Sequence, residues 1–458
     1  MAQSLVFSVK RRAPELITPA KPTPHEIKLL SDIDDQDGLR LQIPVIQFYS
    51  YDPNMIGKDP VEVIRKALAK TLVFYYPFAG RLREGPGRKL MVDCNEEGVL
   101  FIEADADVTL KDFGDALHPP FPLLNELLYD VPGSSDLLNT PLLLVQVTRL
   151  KCGGFIFALR LNHTMSDAPG LVQFMSALGE TTRGMEKPSI SPVWCRELLN
   201  ARDPPRVTCT HREYERAPDK KETLIPFDDM VHHTFFFGPT EVAAIRSLLP
   251  PCQRQQYSNF EIIAAYFWRC RTIALQLNPN EEVRIICIVN ARSKHVNLLL
   301  PNGYYGNALA KPAAVTTAGK LTENPLAYAL DLVKKAKANV TQEYMHSTAD
   351  LMVIKGRPGY TVEGLYLVTD VTRAGFREVD FGWGKAVYGG PARTGDGGIA
   401  GFHIPFKNAK GEDGLIIPFF LPSHAMERLI KETDNLLKRN INQPTKNNPK
   451  SGITISSL

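Results

Sequence analysis

Residues 155–167 read FIFALRLNHTMSD, an apolar run that leads directly into a histidine and, four residues later, an aspartate. The apolar part predicts a buried β-strand that ends at His163, and residues 142–150 predict its antiparallel partner across the turn 151–154. The proline and glycine at 169–170 then open a helix whose apolar residues recur at helical spacing. A strand that passes through a short turn into a helix is typical of an α/β protein, and it places His163 where its ring can face a cleft.

Helical and strand patterns continue to alternate along the chain, which predicts the α/β class for the whole protein. Residues 89–93 and 99–104 are predicted to form another hairpin across residues 95–98. The other helices are predicted at 60–74, 260–274, 325–343 and 423–437, and the other strands at 233–237, 283–290 and 415–421.

The length predicts two domains, since 458 residues exceed what a single hydrophobic core usually supports. The charged, proline-bearing stretch at 202–206 marks the crossover between them. We therefore place an N-terminal domain at 1–200, a linker at 201–220 and a C-terminal domain at 221–458. A segment near 380–405 is expected to pack with the N-terminal domain.

The composition excludes several classes of protein. Hydrophobic residues make up 44% and charged residues 22%, which are ordinary proportions for a globular enzyme. The net charge of +3, without any run of basic residues, argues against a nucleic-acid partner. No apolar stretch is long enough to predict a membrane span. The cysteines are scattered and form no C-x-x-C pair, so we expect free thiols and neither a disulfide framework nor a metal site.

The last three residues, Ser456-Ser457-Leu458, are similar to the Ser-Lys-Leu type of tripeptide that directs import into peroxisomes, although the central basic residue is missing. The polar residues 442–451 before them should leave the tail exposed. We therefore predict a peroxisomal location, with the cytoplasm as the alternative if the tripeptide is not read.

His163 is the candidate general base. A neutral imidazole has an ordinary pKa of about 6.5, so it can take a proton from a hydroxyl at physiological pH. Asp167 can orient the ring, cap the following helix at the backbone N–H of Gly170, or hold an arginine elsewhere. The H-x-x-x-D spacing is equally typical of a loop histidine beside an N-cap aspartate, so both readings stay open on the spacing alone.

A second unusual segment reads VDFGWGK at residues 379–385. Two glycines on either side of a tryptophan predict a sharp turn packed around a large ring. Asp380 in such a turn is expected to be held by hydrogen bonds or by an arginine. The Asp-Phe-Gly motif of protein kinases is excluded because no glycine-rich loop or His-Arg-Asp segment accompanies it, and a serine hydrolase is disfavoured because G-x-S-x-G is missing.

The HTMSD segment at 163–167 and the DFGWG segment at 380–384, in this order, resemble the two signatures of the plant BAHD acyl-CoA-dependent acyltransferase family. The resemblance covers almost the whole chain and includes YPFAGRL at 76–82 and LPNGYYGN at 300–307. Within the family, the sequence is most similar to the alcohol acyltransferase branch, and within that branch to the benzoyltransferases.

This resemblance implies a protein of two similar-sized α/β domains, each with a mixed sheet like that of chloramphenicol acetyltransferase, and a channel between them. Acyl-CoA would enter as a co-substrate from one face and the alcohol from the other, with no permanently bound cofactor and no metal. His163 would remove the hydroxyl proton while the oxygen attacks the thioester. The resemblance also implies a monomer.

The family pattern assigns further roles. Asp380 joins His163 as a catalytic candidate, because this aspartate is sometimes described as a second proton acceptor, although we expect it away from the thioester. Asp167 is expected to point away from the substrate towards an arginine, for which Arg292 is the candidate. The turn that follows Asp380 is expected to be structural, and its members are Gly382, Trp383 and Gly384.

Coenzyme A carries phosphates and an adenine, so its site needs hydrogen-bond donors and cationic side chains. By position in the family pattern, the candidate contacts are Tyr257, Ser258, Asn259 and Asn307. Ser258 is equally well placed to cap the helix that begins near Phe260.

The substrates follow from the resemblance and from the apolar character of the segments expected to line the channel. This character suits benzoyl-CoA and benzyl alcohol better than sugars or polyamines. The alternatives are an acetyl-CoA-dependent alcohol acyltransferase that makes volatile esters, and a non-catalytic binding protein built on the same fold.

Overall fold

The computed structural model describes residues 5–215, 229–393 and 399–441. In these residues the strands are β1 Val9–Arg11, β2 Glu15–Ile17, β3 Ile27–Leu29, β4 Gln42–Tyr49, β5 Arg81–Glu84, β6 Leu90–Asp93, β7 Val99–Ala106, β8 Leu143–Leu150, β9 Phe155–Asn162, β10 Met230–Phe237, β11 Glu282–Cys287, β12 Val289–Asn290, β13 Leu309–Ala310, β14 Ala313–Thr317, β15 Leu365–Asp370, β16 Tyr388–Pro391, β17 Ala400–Lys407 and β18 Asp413–Pro422. The α-helices are α1 Pro60–Thr71, α2 Leu124–Leu127, α3 Ala168–Thr182, α4 Pro239–Ser247, α5 Asn259–Leu275, α6 Ala318–Glu323, α7 Leu326–Ala338, α8 Gln342–Ile354 and α9 Ser423–Ile441. Across the same ranges, no helix has both the length and the apolar character needed to cross a membrane.

A mixed sheet forms in the first half of the chain, in the order β1-β7-β8-β9-β4-β16. β7 and β8 run parallel, while the other neighbours are antiparallel. The hairpin predicted around residues 151–154 is confirmed, since Arg149 of β8 lies opposite Phe155 of β9. β9 is buried at almost every position because it lies inside the sheet, and it ends one residue before His163.

Helix α3 begins directly after this strand, as the sequence predicts. Asp167 is its N-cap, and Pro169 lies in the first turn, where a missing N–H costs no helical hydrogen bond. The apolar residues at helical spacing, such as Leu171 and Phe174, are buried in the core of the first half. The strand and the helix therefore fix both ends of the turn that contains His163.

The second predicted hairpin is wrong in its pairing, although both of its strands exist. β6 pairs with β3 and β5 in a small separate sheet, whereas β7 joins the large sheet beside β8. Residues 95–98 do change the direction of the chain, but a local turn does not determine which strand each neighbour pairs with. β7 is buried along nearly its whole length, and such a strand is most stable inside a large sheet.

The second half builds its own mixed sheet, in the order β10-β18-β17-β15-β11-β14. β15 runs parallel to β11 and β17, and the remaining pairs are antiparallel. Most residues of α5 are buried, and this helix packs against α4, α7 and α9. The predicted α/β class, with a mixed sheet in each half, is therefore confirmed.

The long helix predicted at 325–343 is two helices, α7 and α8. The hydroxyl of Thr341 accepts a hydrogen bond from the backbone N–H of Tyr344, so Thr341 is the N-cap of a new helix. The strand predicted at 283–290 is likewise divided, into β11 and β12. Periodicity did not reveal the break between α7 and α8, because a threonine such as Thr341 is also compatible with a continuous helix.

One strand crosses from the second half to the first. β16 pairs with β4 at the edge of the first sheet, while β17, which follows it, belongs to the second sheet. Ile404 of β17 and Ile416 of β18 pack into the core of the first half. The two halves therefore share hydrophobic surface around β4, the neighbour of the strand that leads to His163.

The chain that follows the first half is anchored on α8. Arg202 forms an ion pair with Asp350 at 2.7 Å. Residues 216–228 lie outside the described part of the chain, so the linker at 201–220 and the domain division that it implies stay predictions.

Candidate active site

His163 is held through its backbone by both halves of the chain. Its N–H donates to the carbonyl of Leu41 at 2.8 Å. Its own carbonyl accepts from Nδ2 of Asn307, also at 2.8 Å. The side chain is half-buried, and Nδ1 is buried without a hydrogen-bond partner among the described residues. The backbone thus fixes the position of the ring, and no described side chain occupies Nδ1.

Burial lowers the pKa of His163, since removing a charged imidazolium from water is unfavourable. The positive charge of Lys311 lowers this pKa further, while Asp167 acts in the opposite direction. The imidazole is therefore neutral at physiological pH, which is the form that accepts a proton.

Asp167 holds the turn between His163 and α3. Its carboxylate accepts from the backbone N–H of Gly170 at 3.1 Å and from that of Ala308 at 2.9 Å. Arg292 donates to both carboxylate oxygens, at 2.7 and 3.1 Å, and such a two-pronged pair fixes geometry as well as charge. Arg292 thus lies against Asp167 as the family pattern suggests, and the carboxylate caps the helix and pairs with the arginine rather than orienting the ring.

Asn307 supports the turn that contains His163 through hydrogen bonds to its backbone carbonyls. It has no exposed surface, and its Nδ2 donates to the carbonyls of His163 and Thr164 at 2.8 and 3.3 Å. The same group donates to Oδ1 of Asp34 at 2.9 Å. These contacts give the Asn307 carboxamide a structural role beneath His163, and the predicted contact with coenzyme A at this position stays a prediction.

Asp34 and Arg196 form a buried ion pair that contacts the same turn. Nη1 of Arg196 lies 2.6 Å from Oδ1 of Asp34, and neither side chain is more than 1% exposed. Nη2 of Arg196 donates to the carbonyl of Met165 at 2.8 Å. Neither residue is among the predicted site residues, although acidic residues within the stretch LSDIDDQ at 30–36 are a signal for such a buried network.

Lys311 is another member of the site that the sequence did not predict. Its side chain is 5% exposed, and its ammonium donates to Oε1 of Gln36 at 3.1 Å. The ammonium also lies 5.3 Å from the centre of the Tyr360 ring. Burial lowers the pKa of Lys311 to about 8, against the opposing charges of Glu213 and Asp37. The apolar context ALAKPAA was the available signal for its burial.

Asp380 lies at the opposite end of α3 from His163. Its backbone carbonyl accepts a hydrogen bond from Arg183, the residue after α3, and lies against Gly179 within that helix. At a rise of about 1.5 Å per residue, the helix separates Asp167 from Gly179 by about 18 Å. The structure therefore places Asp380 at the far end of α3 from the base, and its assignment as a second catalytic residue stays a prediction that this placement does not support.

The carboxylate of Asp380 closes the glycine turn instead. Its Oδ1 accepts from the N–H groups of Gly382 at 2.7 Å and Gly384 at 2.9 Å. Both glycines have positive φ, 106° and 79°, a conformation that other residues rarely adopt. The Trp383 ring between them packs edge-on against Phe155 with 5.2 Å between centroids. The turn therefore supports β9 at the end away from the active-site histidine.

Tyr257, Ser258 and Asn259 hold the start of α5. The hydroxyl of Tyr257 donates to an aspartate of α7 at 2.6 Å, and Oδ1 of Asn259 accepts from an arginine of α4 at 2.6 Å. Ser258 is the N-cap and forms a capping box with Glu261. The structure therefore gives these side chains a structural role, and a contact with coenzyme A at these positions stays a prediction.

Ser347, His211 and Glu213 have the connectivity of a serine-hydrolase triad, but they are buried. Nε2 of His211 lies 2.9 Å from Oγ of Ser347, and Nδ1 lies 3.0 Å from a carboxylate oxygen of Glu213. Ser347 has no exposed surface, and its Oγ also accepts from the backbone N–H groups of Thr208 and Cys209. A nucleophile must reach its substrate, so this cluster anchors the crossover chain and gives no support to the hydrolase alternative.

Known proteins are similar to this chain in sequence and in fold. A sequence profile described as the Transferase family matches residues 7–436. The benzyl alcohol O-benzoyltransferase of Petunia hybrida is 69% identical over 440 residues, and the enzyme of the same name from Nicotiana tabacum is 68% identical over 440 residues. Each alignment covers 95% of both chains. The crystal structure of vinorine synthase superposes with a TM-score of 0.70 at 23% identity, covering 94% of this chain and 98% of that one, which supports the fold.

Proposed function

This chain belongs to the Transferase family of BAHD acyl-CoA-dependent acyltransferases, and we propose that it transfers a benzoyl group from benzoyl-CoA to benzyl alcohol to form benzyl benzoate. It is an acyl-CoA:alcohol O-acyltransferase, and acyl-CoA is its co-substrate. Support for the two substrates comes from the near-complete coverage of two benzyl alcohol O-benzoyltransferases at 68% and 69% identity.

The mechanism is proposed to begin with neutral His163. The imidazole takes the hydroxyl proton of the alcohol as the oxygen forms a bond to the thioester carbon. The tetrahedral intermediate then breaks its carbon–sulfur bond, and the thiolate takes the proton back from the imidazolium. The products are the ester and free coenzyme A. No acyl-enzyme is needed, because the alcohol itself is the nucleophile.

The observation that carries this mechanism is a half-buried histidine with a lowered pKa, fixed through its backbone N–H and carbonyl from both halves of the chain. Burial favours the neutral base before the reaction, and it also makes the transient imidazolium a ready proton donor to the leaving thiolate. A single histidine can therefore serve both proton transfers.

The direct test is the release of free thiol from benzoyl-CoA with and without benzyl alcohol. We expect release only when the alcohol is present, with benzyl benzoate identified by mass. His163→Gln should lower kcat by about a hundredfold to ten-thousandfold, the range in which general-base catalysis contributes. Retained ester formation in a folded His163→Gln enzyme would contradict the mechanism, and thiol release without alcohol would indicate a hydrolase.

An acetyl-CoA-dependent enzyme that makes volatile esters is the alternative with the same chemistry. A competition assay with equal concentrations of benzoyl-CoA and acetyl-CoA separates the two, since the ratio of the ester products reports relative kcat/KM. Preference for acetyl-CoA would transfer the proposal to the alternative. No ester with any donor or alcohol would favour a non-catalytic binding protein.

We propose that the enzyme is a monomer. The support is that the described contacts around His163 come from both halves of one chain, through Leu41 and Asn307, so no second copy is needed to build them. Light scattering coupled to size-exclusion chromatography should give the mass of one chain. A dimer mass that persists on dilution would contradict this.

We also propose import into peroxisomes. The support is the C-terminal Ser456-Ser457-Leu458, which lies outside the residues that the structure describes. A fluorescent protein fused in front of the intact tail should colocalise with a peroxisomal marker. Deletion of Leu458 should leave the fluorescence in the cytoplasm, and cytoplasmic fluorescence with the intact tail would favour the alternative location.

A further inference from the structure

Among the residues that the structure describes, Lys311 is a buried cation with no acidic partner in contact. It lies between β13 and β14, and only 5% of its surface is exposed. Its ammonium donates to the neutral side chain of Gln36 and lies over the Tyr360 ring. In the described ranges, no carboxylate forms an ion pair with it. A charge buried in this way costs stability, since burial favours the neutral form of a lysine.

The chain segments that hold Lys311 are the same ones that hold His163. Gln36 accepts from Lys311, and Leu41, five residues later, accepts from the backbone N–H of His163. A Cβ placed on Gly38 between them would lie 3.4 Å from Nζ of Lys311. On the other side, Asn307 donates to the carbonyl of His163 and precedes Lys311 by four residues. The ammonium and the imidazole therefore share a common support on two sides.

We propose that Lys311 is a positioning residue for acyl transfer, and that its buried positive charge adds to the effect of burial in keeping the His163 imidazole neutral and ready to accept a proton. This rests on the proposed role of His163 as the base. A like charge in a region of low dielectric makes a second positive charge unfavourable, and this effect is much weaker in water.

The other charges near His163 are largely compensated by pairing. Asp167 pairs with Arg292, and Asp34 pairs with Arg196. On the segment that accepts from the backbone of His163, the charged groups also form ion pairs: Asp35 with Arg40 and Arg357, Arg40 with Glu84, and Asp37 with Arg88. Within the described residues, Lys311 is therefore the cation in this set without an ion-pair partner.

The groups that face Lys311 favour its charged form at the pH of catalysis. Burial lowers the pKa of Lys311 to about 8, and the negative charges of Glu213 and Asp37 oppose this by raising it. The hydroxyl of Tyr214 donates to the same amide oxygen of Gln36 at 2.8 Å and keeps that acceptor in place. Below pH 8 the lysine is mostly protonated, and this is the range in which His163 gains its proton. The positive charge of Lys311 is therefore present in the pH range in which it opposes protonation of His163.

The pH dependence of kcat/KM in variants of Lys311 tests the proposal. His163 must be neutral to act as a base, so kcat/KM falls as the pH drops through its pKa, which forms the acid limb of the profile. Lys311→Gln removes the neighbouring charge, so the acid limb should move to higher pH by about half a unit or more. Lys311→Arg keeps the charge, and its acid limb should stay near that of the wild type.

The second readout does not depend on activity. The imidazole resonances of full-length protein, assigned by loss of a signal in His163→Gln, can be titrated by NMR in the wild type and in Lys311→Gln. The pKa of His163 should rise in the variant. Lys311→Met removes the buried charge with a side chain of similar length, so it provides a second, apolar variant that should fold at least as stably.

An unchanged pKa of His163 in both Lys311→Gln and Lys311→Met would overturn the proposal, whatever their activity. A raised pKa in a protein that forms no ester would support the electrostatic coupling and contradict the proposed function instead. A uniform loss of kcat at every pH, with the pKa of His163 unmoved, would show that Lys311 is only structural and would also overturn the proposal.

Discussion

At the scale of single residues, Asp167 serves two structural roles with one carboxylate. As the N-cap of α3 it accepts from the backbone N–H of Gly170, a role that asparagine fills equally well. As an ion-pair partner it neutralises Arg292, and this role requires the negative charge. The two contributions can therefore be separated by substitution at the same position.

We expect Asp167→Asn to lower the free energy of unfolding by about 1–3 kcal/mol, because Arg292 loses its counter-charge while the cap remains. Asp167→Ala should cost about 1 kcal/mol more, because the cap is lost as well. Denaturant titrations of the two variants give the difference. Equal costs would mean that the cap contributes nothing. In the folded Asp167→Asn enzyme kcat should fall by no more than about tenfold, and a loss as large as that of His163→Gln would instead indicate that Asp167 orients the ring.

The sequence predicted His163 but missed most of its supports, and the reason is physical. A histidine after an apolar strand is a local pattern, which the residues around it reveal. The hydrogen bond from Asn307 to His163 joins residues 144 positions apart, and such a contact leaves no periodicity in the sequence. Lys311 and Arg196 were missed for the same reason, because the meaning of a buried charge depends on partners from other elements.

At the scale of elements, the contacts of the turn at residues 380–384 support β9. The side chain of Asp380 accepts from two backbone N–H groups, and the aromatic rings of the turn pack on the strand, with Phe381 against Phe157 and Trp383 against Phe155. These contacts indicate that the segment supports the fold of the active site through β9, whether or not Asp380 also takes part in the reaction.

Asp380→Asn separates a structural role of Asp380, as an acceptor of backbone hydrogen bonds, from a catalytic role in proton transfer. An asparagine oxygen can accept from the same two N–H groups, so we expect kcat within about threefold of the wild type and a small loss of stability. Asp380→Ala leaves two backbone donors without their acceptor and should lower the free energy of unfolding by about 1–3 kcal/mol. Thiol release and thermal unfolding measured on both variants give the comparison. A drop in kcat comparable to that of His163→Gln in a folded Asp380→Asn enzyme would instead support Asp380 as a catalytic residue.

The elements themselves were mostly predictable, while their partners were not. The hairpin of β8 and β9 has a four-residue turn between two apolar strands, so the turn and the burial agree and the pairing is correct. β6 and β7 are also separated by a short turn, but they belong to different sheets. Burial along nearly the whole of β7 was the competing signal, and it decided the pairing.

At the scale of the whole molecule, the two halves are joined by strands and not only by a linker. β16 completes the first sheet, and β17 carries Ile404 into the core of the first half while it pairs within the second sheet. His403, the neighbour of Ile404, is 1% exposed, and its ring lies 5.3 Å from that of Phe260. Neither ring nitrogen has a hydrogen-bond partner among the described residues.

This buried histidine should make the joined structure sensitive to acid. Burial lowers the pKa of His403 from 6.5 to about 4, against the opposing charge of Asp370. Between these two values the unfolded chain binds a proton that the folded chain does not. The free energy of unfolding should therefore be at its full value above pH 6.5 and fall as the pH drops towards 4, by up to about 3 kcal/mol.

His403→Leu removes this proton site with a side chain of similar size, so its free energy of unfolding should fall less steeply across the same pH range. Denaturant titrations at intervals of half a pH unit measure the slope. His295→Leu is the matched control, because His295 is exposed and its substitution removes a histidine without touching the buried site at His403. Parallel slopes for His403→Leu and the wild type would place the acid sensitivity elsewhere. A flattened slope in His403→Leu, but not in His295→Leu, would locate the acid sensitivity at His403 on β17, the strand that pairs within the second sheet and packs Ile404 into the core of the first half.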